Sequence, residues 1–494
     1  MKFFSTRGRC VAANAASAIT KGLAEDGGLF VPEAFPFLGD KIEEMLDMEY
    51  AERAALVIGS FLTEYDQKEL LSACVKAYGQ FEDGDAAPIV KTDDGFFILE
   101  LFHGPTLAFK DIALTLLPFL MRKGADICGV KEEILILTAT SGDTGKAALE
   151  GFKNAEGVKI MVFYPSEGVS DMQKLQMRTQ EGDNVNVVAV NGNFDDCQTA
   201  VKNIFADKTF CEELKRNGVI LSSANSINFG RLVPQIAYYF SAYADLVSSG
   251  EITLGEEIDF IVPTGNFGNI LAGHYAKNMG LPIGKLVCAS NANNVLTEFF
   301  ASGTYDANRE FFKTTSPSMD ILISSNLERL IYEFSGRNAE LTEKRMAELK
   351  KYGKYEVSEE ELKNLQNDFY ADCAEEEECE ETIGEFFDEY GYVLDPHTAV
   401  AACVAEKYQR NSGDGRAKVL LSTASPYKFP QTVLHSITGE RVSDAFKSAD
   451  KLYKETAYPV PHSVSSLKNK PVRFSAVTDK KEIKESVRDF AIKR

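Results

Sequence analysis

The sequence predicts an α/β protein with doubly wound parallel sheets, and two patterns indicate this class. From about Phe96 onward, short runs rich in β-branched and aromatic residues alternate with amphipathic segments of helical period. Loops of small and polar residues follow several of these runs, as in TSGDTG at 140–145. Such alternation requires crossover helices on both faces of a parallel sheet, and ligands then bind beyond the carboxyl ends of the strands.

The elements follow in order along the chain. The predicted strands lie at residues 96–101, 134–137, 158–163, 185–190, 258–262, 285–289 and 419–422. The predicted helices lie at residues 110–122, 145–154, 194–206 and 231–246. Residues 1–95 are mostly helical in pattern, at 43–61 and 67–78, so we expect a separate N-terminal unit packed on the rest. Residues 333–389 are rich in Lys and Glu, which is typical of solvated helices inserted into the fold.

Composition excludes several classes of protein. The chain has 494 residues, 44% hydrophobic and 26% charged, which suits about three structural units. Its longest apolar run, at 112–121, contains Pro118 and is too short for a membrane span, and the N-terminus lacks the pattern of a signal peptide. The net charge of −21 opposes nucleic-acid or anionic-membrane binding as a main task. An anionic small molecule would need a local pocket of N–H groups, hydroxyls and cations.

Cysteine and histidine usage bears on metals and on the compartment. The nine cysteines are scattered without a C-x-x-C motif, and the chain has only five histidines. This pattern indicates neither a metal site nor a disulfide framework. We therefore expect free thiols in a reducing compartment, the cytoplasm. These patterns do not define an oligomeric state.

One lysine begins a predicted helix directly after a strand and a Gly-Pro turn, in the segment HGPTLAFKD at 103–111. At a helix N-terminus the dipole disfavours the ammonium form, so the pKa of Lys110 should fall. A neutral amine is what Schiff-base chemistry requires. The alternative is a surface lysine whose aliphatic stem packs on Phe109.

Two further loops follow strands and precede helices. In TSGDTG at 140–145, small residues let N–H groups approach a carboxylate or phosphate, and Ser141 and Thr144 add hydroxyl donors. In TGNFGN at 264–269 the main chain offers a phosphate cradle without a Walker lysine, which argues against a nucleoside triphosphate. The alternative in both loops is an ordinary turn, capped in the first by Asp143 or Thr144.

Together with motifs elsewhere, these loops give a resemblance to a known family. The further motifs are STRG at 5–8, GLAEDGGLFVP at 22–32, GNFDDCQ at 192–198, NSINFGR at 225–231, SPSMDI at 316–321, DPHT at 395–398 and STASPYKFP at 422–430. Over nearly its whole length the chain resembles the longer-chain threonine synthases, pyridoxal-phosphate (PLP) enzymes of the tryptophan-synthase-β fold group. The resemblance implies PLP fold type II, with the cofactor between two doubly wound parallel-sheet domains.

The resemblance also divides the chain. We expect residues 1–95 to form the N-terminal unit, and residues 96–125 and 250–494 to form the large PLP-binding domain with the 333–389 insertion. Residues 126–249 should form the small, substrate-side α/β domain.

Residue by residue, the resemblance implies a cofactor site. Lys110 matches the Schiff-base lysine, and Thr423 matches the hydroxyl that faces the pyridine nitrogen, where it leaves the ring a gentler electron sink than a carboxylate would. Asp143 stands where shorter relatives carry Asn, and its contact with the cofactor's phenolic oxygen would bring two anionic oxygens together. The residues that match the cofactor-phosphate loop are Gly265, Asn266, Phe267, Gly268 and Asn269.

The resemblance implies a substrate site as well. Ser141 and Thr144 match donors to the substrate's carboxylate and neighbouring groups. Asn225, Ser226 and Arg231 match positions that bind a substrate phosphate, and the forked donors of arginine suit that anion. Asp395 and His397, by contrast, are expected to cap and pack a helix rather than to act in catalysis.

The implied reaction converts O-phospho-L-homoserine and water into L-threonine and phosphate, with Lys110 as the base for the α-proton. One alternative is another lyase of the same fold group, a serine or threonine dehydratase or a sulfhydrylase. NSINFGR and the long N-terminal unit argue against it. A second alternative is a homologue that keeps PLP without catalysis, and the presence of both Lys110 and Arg231 argues against that.

Overall fold

The computed structural model describes residues 1–92, 96–140, 142–166, 169 and 171–492. Within them the strands are β1 (Phe3–Ser5), β2 (Val11–Ala12), β3 (Phe30–Pro32), β4 (Ile89–Lys91), β5 (Phe96–Glu100), β6 (Glu133–Ala139), β7 (Val158–Pro165), β8 (Val185–Asn191), β9 (Val219–Ser222), β10 (Ile258–Pro263), β11 (Ile283–Ser290), β12 (Thr304–Asp306), β13 (Lys354–Glu356), β14 (Phe369–Cys373), β15 (Lys418–Ser422) and β16 (Val477–Asp479). The helices are α1 (Ala15–Lys21), α2 (Ile42–Met45), α3 (Tyr50–Phe61), α4 (Gln67–Tyr78), α5 (Lys110–Leu114), α6 (Leu117–Ile127), α7 (Asp143–Phe152), α8 (Asp171–Arg178), α9 (Phe194–Ala206), α10 (Lys208–Arg216), α11 (Phe229–Ser248), α12 (Gly268–Asn278), α13 (Val295–Ser302), α14 (Leu327–Phe334), α15 (Ala339–Tyr352), α16 (Glu359–Asp368), α17 (Glu376–Tyr390), α18 (Pro396–Ser412), α19 (Pro430–Thr438), α20 (Ala445–Thr456), α21 (His462–Ser465) and α22 (Ile483–Ile492).

The large sheet has the strand order β14-β11-β10-β15-β5-β4. Its strands run parallel except β4, which pairs antiparallel with β5 at one edge. Along β15, Val419 and Leu421 pack into one hydrophobic cluster and Leu420 packs into another. Both faces of the sheet are therefore covered, which explains why its central strands read as near-continuous apolar runs.

The small sheet has the order β16-β8-β7-β6-β9, and all of its strands are parallel. Two parallel sheets with covering helices confirm the fold class that the alternating pattern predicts. Each sheet presents the carboxyl ends of its strands at one edge, and the loops at these ends carry the motifs singled out in the sequence.

The C-terminal segment departs from the predicted division of the chain. β16 pairs in parallel with β8 through Val477, Thr478 and Asp479, so residues near 477 extend the small sheet although 250–494 was assigned to the large domain. A strand of three residues, two of them polar, is too short to give a recognisable apolar run.

Two predicted helices are interrupted. Residues 110–122 form α5 and α6, because Pro118 in the first turn of α6 has no N–H to continue the α5 hydrogen bonding. Residues 43–61 form α2 and α3, and Glu49 and Glu52 make a capping box at the start of α3.

The charged region at 333–389 contains more than solvated helices. It includes α15, α16 and α17, as the charge pattern indicates, but also β14, which pairs in parallel with β11 at the edge of the large sheet. This part of the region therefore belongs to the sheet.

Within the expected N-terminal unit, residues 1–95, a small antiparallel sheet, β2-β1-β3, packs with α1 to α4, whereas β4 departs from the expectation and joins the large sheet through β5. Polar contacts attach the N-terminal unit to the rest of the chain: Arg53 donates to Ser241 Oγ at 2.9 Å, and Tyr65 donates to the Leu120 carbonyl at 2.7 Å. Among the described residues, no helix combines the length and apolarity that crossing a membrane requires.

Candidate active site

Lys110 is the first residue of α5 and follows the loop that leaves β5. The preceding residue, Phe109, donates its N–H to the carbonyl of Thr423 at 3.0 Å, which ties this loop to the end of β15. Lys110 Nζ donates to Ser318 Oγ at 3.2 Å. The lysine that the sequence singles out therefore lies where loops from several parts of the chain meet.

The amine of Lys110 is shifted toward its neutral form. Burial lowers its pKa to about 8, and the positive charges of Lys428 and Arg231 act in the same direction. The nearby Asp143 opposes them. The direction agrees with the sequence expectation, although the main cause is burial. A lowered pKa increases the fraction of this amine that is uncharged near neutral pH.

Asp143, the first residue of α7, is paired with Lys428 from the loop after β15. Lys428 Nζ lies 3.0 Å from Asp143 Oδ1, and it also donates to the carbonyl of Thr106 at 2.9 Å. Burial alone would raise the pKa of Asp143, but the charges of Lys428 and Lys110 outweigh burial and hold this pKa well below its usual range. Asp143 is therefore an ionised carboxylate inside the site.

Ser318 connects these charged groups. Its hydroxyl accepts from Lys110 and donates to Asp143 Oδ2 at 3.2 Å, while its N–H donates to His397 Nε2 at 3.2 Å. His397 Nδ1 lies 2.7 Å from Asp395 Oδ1, which also caps the start of α18. Asp395 caps the helix as the sequence indicates, and His397, which Asp395 holds, accepts from the N–H of Ser318 and so fixes its loop.

The loop at 265–269 joins β10 to α12, and its backbone is unusual at two positions. Phe267 adopts the left-handed conformation, with φ of 60°, directly before α12 begins at Gly268. A Cβ atom at Gly265 would lie 2.8 Å from the Ser318 carbonyl oxygen, so only glycine fits this approach. Asn266 offers its carbonyl to the N–H of Asn326 at 3.1 Å. The loop is thus held against the Ser318 loop, next to Lys110.

Asn269 ends this loop with a donor that the protein leaves unused. Its Oδ1 accepts from the hydroxyls of Tyr238 and Tyr239, which fixes the amide's orientation. Its Nδ2 is buried and has no hydrogen-bond partner in the described part of the chain. A free amide donor in the first turn of a helix suits an anionic ligand.

Arg231 lies in the first turn of α11 and is 3% exposed. It donates through Nη1 to the Ala224 carbonyl at 2.8 Å, whereas its buried Nε has no partner among the described residues. Burial lowers its pKa to about 10, and Asp111 partly opposes this. At pH 7 the guanidinium is charged, with a donor left for a ligand.

The remaining predicted residues differ in placement. Ser226 is half-buried, and its Oγ accepts from Asn326 Nδ2 at 3.3 Å, which links it to the 265–269 loop. Thr144 is half-buried in the first turn of α7, whereas Asn225 is exposed. Ser141 lies outside the described residues. Thr423 is buried, and its carbonyl accepts from the N–H of Phe109 in the Lys110 loop.

The structure thus brings Asp143 and Arg231 close enough to Lys110 to affect the charge of its amine, while Asn225 lies at the surface. Sequence reasoning did not single out Lys428 or Ser318. Lys428 lies in the motif STASPYKFP and Ser318 in the motif SPSMDI. Lys428 also lies in a loop that follows a predicted strand, as Lys110 does, and this position could have indicated it.

These groups fit PLP. An amine of lowered pKa can bind its aldehyde, and the unused Asn269 amide at the start of α12 can bind its phosphate. The residues that would hold the cofactor are therefore Lys110, the 265–269 loop and Thr423.

Comparisons with known proteins agree with this fit. Three family models match, described as threonine synthase N terminus at 2–78, pyridoxal-phosphate dependent enzyme at 87–363, and threonine synthase C-terminal at 398–488. Threonine synthase of Pseudomonas aeruginosa is 38% identical over 460 residues, covering 92% of this chain and 94% of that protein. Threonine synthase-like 1 of Homo sapiens is 41% identical over 454 residues, which cover 89% of this chain, but the chain spans only 60% of its length.

Solved structures give the same result. PLP-bound threonine synthase from Brucella melitensis has a TM-score of 0.88 and 38% identity, with 99% of each chain covered. Threonine synthase from yeast has a TM-score of 0.88 and 32% identity, covering 100% of this chain and 99% of that one. Because one family model spans more than half of the chain, and similar proteins at these identities align over nearly all of it, the chain belongs to the threonine synthase family of PLP-dependent enzymes.

Proposed function

We propose that this protein converts O-phospho-L-homoserine and water into L-threonine and phosphate, with PLP as cofactor. The observation that carries the proposal is a buried arginine, Arg231, that keeps an unused donor near an amine of lowered pKa, Lys110. The first group suits a substrate phosphate and the second suits amino-acid chemistry on PLP. The relatives named threonine synthase, similar over nearly the whole chain, support the same reaction.

When bound, PLP would withdraw electrons from the substrate, which makes the protons on the substrate's α- and β-carbons removable. Lys110 is the residue that would bind the cofactor, and its neutral amine would take the α-proton when the substrate amine replaces it. Ser318, within hydrogen-bond distance of Lys110 Nζ, orients that amine. Thr423, whose carbonyl accepts from the residue before Lys110, would place its hydroxyl toward the pyridine nitrogen.

The other predicted residues would bind anions. The N–H groups and Asn269 amide of the 265–269 loop would hold the cofactor phosphate. Arg231, with Asn225 and Ser226 before it, would hold the substrate phosphate and position it as the leaving group. Ser141 and Thr144 would bind the substrate carboxylate. In this arrangement the 126–249 segment binds substrate, and residues 96–125 and 250–476 bind cofactor.

The test is to incubate the PLP-loaded chain with O-phospho-L-homoserine and to follow L-threonine and inorganic phosphate together. Equal amounts of the two products are expected. Ammonia from serine, without phosphate from phosphohomoserine, would show a dehydratase instead. Absence of turnover with visible cofactor absorbance intact would show the non-catalytic alternative.

Lys110→Ala tests the role of this lysine, and Lys447→Ala is its matched control. Lys110→Ala should abolish both products and the visible absorbance of the bound cofactor. Lys447→Ala, an exposed lysine in the first turn of α20, should leave both unchanged. After borohydride reduction, a pyridoxyl label on any lysine other than Lys110 would contradict the assignment.

We also propose a cytoplasmic location, which the reduced cysteines of the described residues favour. Fractionation of cells that express the untagged chain tests it. Recovery in a membrane or secreted fraction would contradict it.

A further inference from the structure

A buried lysine, Lys428, lies close to the predicted reactive lysine, Lys110. Lys428 is 3% exposed at its side chain, and its Nζ lies 3.0 Å from Asp143 Oδ1. The side chain of Asp143 is 6% exposed, and its Oδ2 accepts from Ser318 Oγ at 3.2 Å. Ser318 Oγ in turn accepts from Lys110 Nζ at 3.2 Å. Four groups therefore form one continuous chain, with a cation at each end and a single carboxylate between them.

This chain joins the two sheets. Asp143 begins the helix that follows β6 of the small sheet, whereas Lys110 and Lys428 follow β5 and β15 of the large sheet. A carboxylate that reached across to Lys110 alone would pair with its ammonium form and keep it charged. Lys428 supplies a second cation, so the carboxylate of Asp143 is paired without depending on the ammonium form of Lys110.

Four charged groups that act on Lys110 come from its own helix and from the elements packed around it. Asp143 on α7 and Asp111 on its own helix favour the ammonium form. Lys428, after β15, and Arg231 on α11 disfavour it. The two groups of the ion pair therefore act on Lys110 in opposite directions, and removing either one leaves the effect of the other unopposed.

We propose that Lys428 is a positioning residue that pairs with Asp143, so that this carboxylate can orient Ser318 without holding Lys110 in its charged form. The inference deepens the proposed function, since it concerns the readiness of Lys110 to react. Its test measures the amine of Lys110 directly in the full chain without cofactor. Failure of this inference therefore leaves the assay of phosphohomoserine turnover untouched, and failure of that assay leaves this measurement valid.

The experiment is competitive acetylation over a range of pH, with mass spectrometry of the peptide that carries Lys110. Lys428→Met should raise the pKa of Lys110 by about one unit, because Asp143 then pairs with Lys110. Asp143→Asn should lower it by about the same amount, because the cation of Lys428 then acts unopposed. The double variant Asp143→Asn with Lys428→Met should return the pKa close to that of the unmodified chain.

Two controls separate this role from a structural one. Lys428→Arg keeps the charge and should leave the pKa of Lys110 nearly unchanged. Lys146→Met breaks a comparable pair on the same helix, Lys146 with Glu150 at 2.8 Å, and should leave it unchanged too. If one single variant does not fold, the other single variant compared with the double variant still decides, because the double variant removes the whole pair and leaves neither of its charges buried without a partner.

Shifts of the same sign in the two single variants would overturn the proposal. A double variant displaced by a full unit from the unmodified chain would also overturn it, as would a shift in Lys428→Arg as large as in Lys428→Met. Opposite shifts that cancel are the expected result, and loss of packing alone does not produce them.

Discussion

Two buried arginines bind the same turn and use their donors differently. Arg329 on α14 donates through all three nitrogens: to the Phe30 carbonyl at 3.0 Å, to Asn326 Oδ1 at 2.6 Å and to the Ile227 carbonyl at 2.6 Å. Arg231 on α11 donates to the Ala224 carbonyl, and its Nε has no partner in the described part of the chain. Both side chains are almost completely buried.

The difference indicates two roles. A buried guanidinium whose donors all bind the protein fixes the fold, because removing it leaves several buried acceptors without partners. A buried guanidinium that keeps a free donor costs stability until a ligand binds it. We interpret Arg329 as a structural clamp between the N-terminal unit and the 224–228 turn, and Arg231 as a binding residue. Substitutions of the two arginines test this comparison, and substitutions of Tyr238 and Thr423 test the other proposed binding groups.

The largest effect is expected for Arg329→Met. Three acceptors lose their partners, so the free energy of unfolding should fall by about 4 kcal/mol. Chemical denaturation measures it. Arg216→Met, which removes an exposed arginine from a pair whose partner Glu212 is also exposed, should cost less than about 1 kcal/mol. An unchanged denaturation midpoint for Arg329→Met would contradict the structural role of this arginine.

Arg231→Ala should act on turnover instead. Loss of a charge-assisted contact to the substrate phosphate should lower kcat/KM for phosphohomoserine about a hundredfold, which corresponds to about 3 kcal/mol. Binding of serine, which lacks the phosphate, should be nearly unchanged when followed by cofactor absorbance. Equal losses for both ligands would show that Arg231 holds the fold or the cofactor.

Tyr238→Phe examines the other free donor, Nδ2 of Asn269. Without one of the two hydroxyls that hold its Oδ1, the amide is less well oriented, and PLP should bind about fivefold more weakly, or about 1 kcal/mol. Titration of the cofactor-free chain measures this. Tyr243→Phe, on the same helix but bonded to the Glu256 carbonyl, is the matched control and should bind PLP normally.

The smallest effect is expected at Thr423. Thr423→Ala should leave PLP bound, since the amine and phosphate contacts remain, and should slow kcat about threefold by changing the environment of the ring nitrogen. Thr423→Ser keeps the hydroxyl and should restore the rate. Full activity in the alanine variant would show that this hydroxyl does not face the ring.

The fold was largely predictable because its apolar runs are long and well bounded. The strand predicted at 185–190 is observed as Val185–Asn191, and the helix predicted at 194–206 is observed with the same limits. The pattern at 110–122 did not indicate the division of this helix at Pro118. The short edge strands β14 and β16 were not predicted either, because brief or polar strands show no hydrophobic period of their own. Their pairing with β11 and β8 arises only in the assembled sheet.

The site was predictable only in part. Lys110 and the 265–269 loop stand in recognisable strand-turn-helix contexts. The partnership of Lys428 with Asp143 joins residues 285 positions apart, and no local pattern encodes it. The free donors of Arg231 and Asn269 likewise become visible only when every neighbouring acceptor is placed.

The late position of β16 has a consequence for synthesis on the ribosome. β8 emerges about 290 residues before the strand that covers its edge, so at about 10 residues per second this edge stays open on the order of half a minute. An uncovered apolar edge strand can pair with another nascent chain. We therefore expect newly made chains to depend on chaperones until their last segment is released, and chains truncated before residue 477 to aggregate during expression.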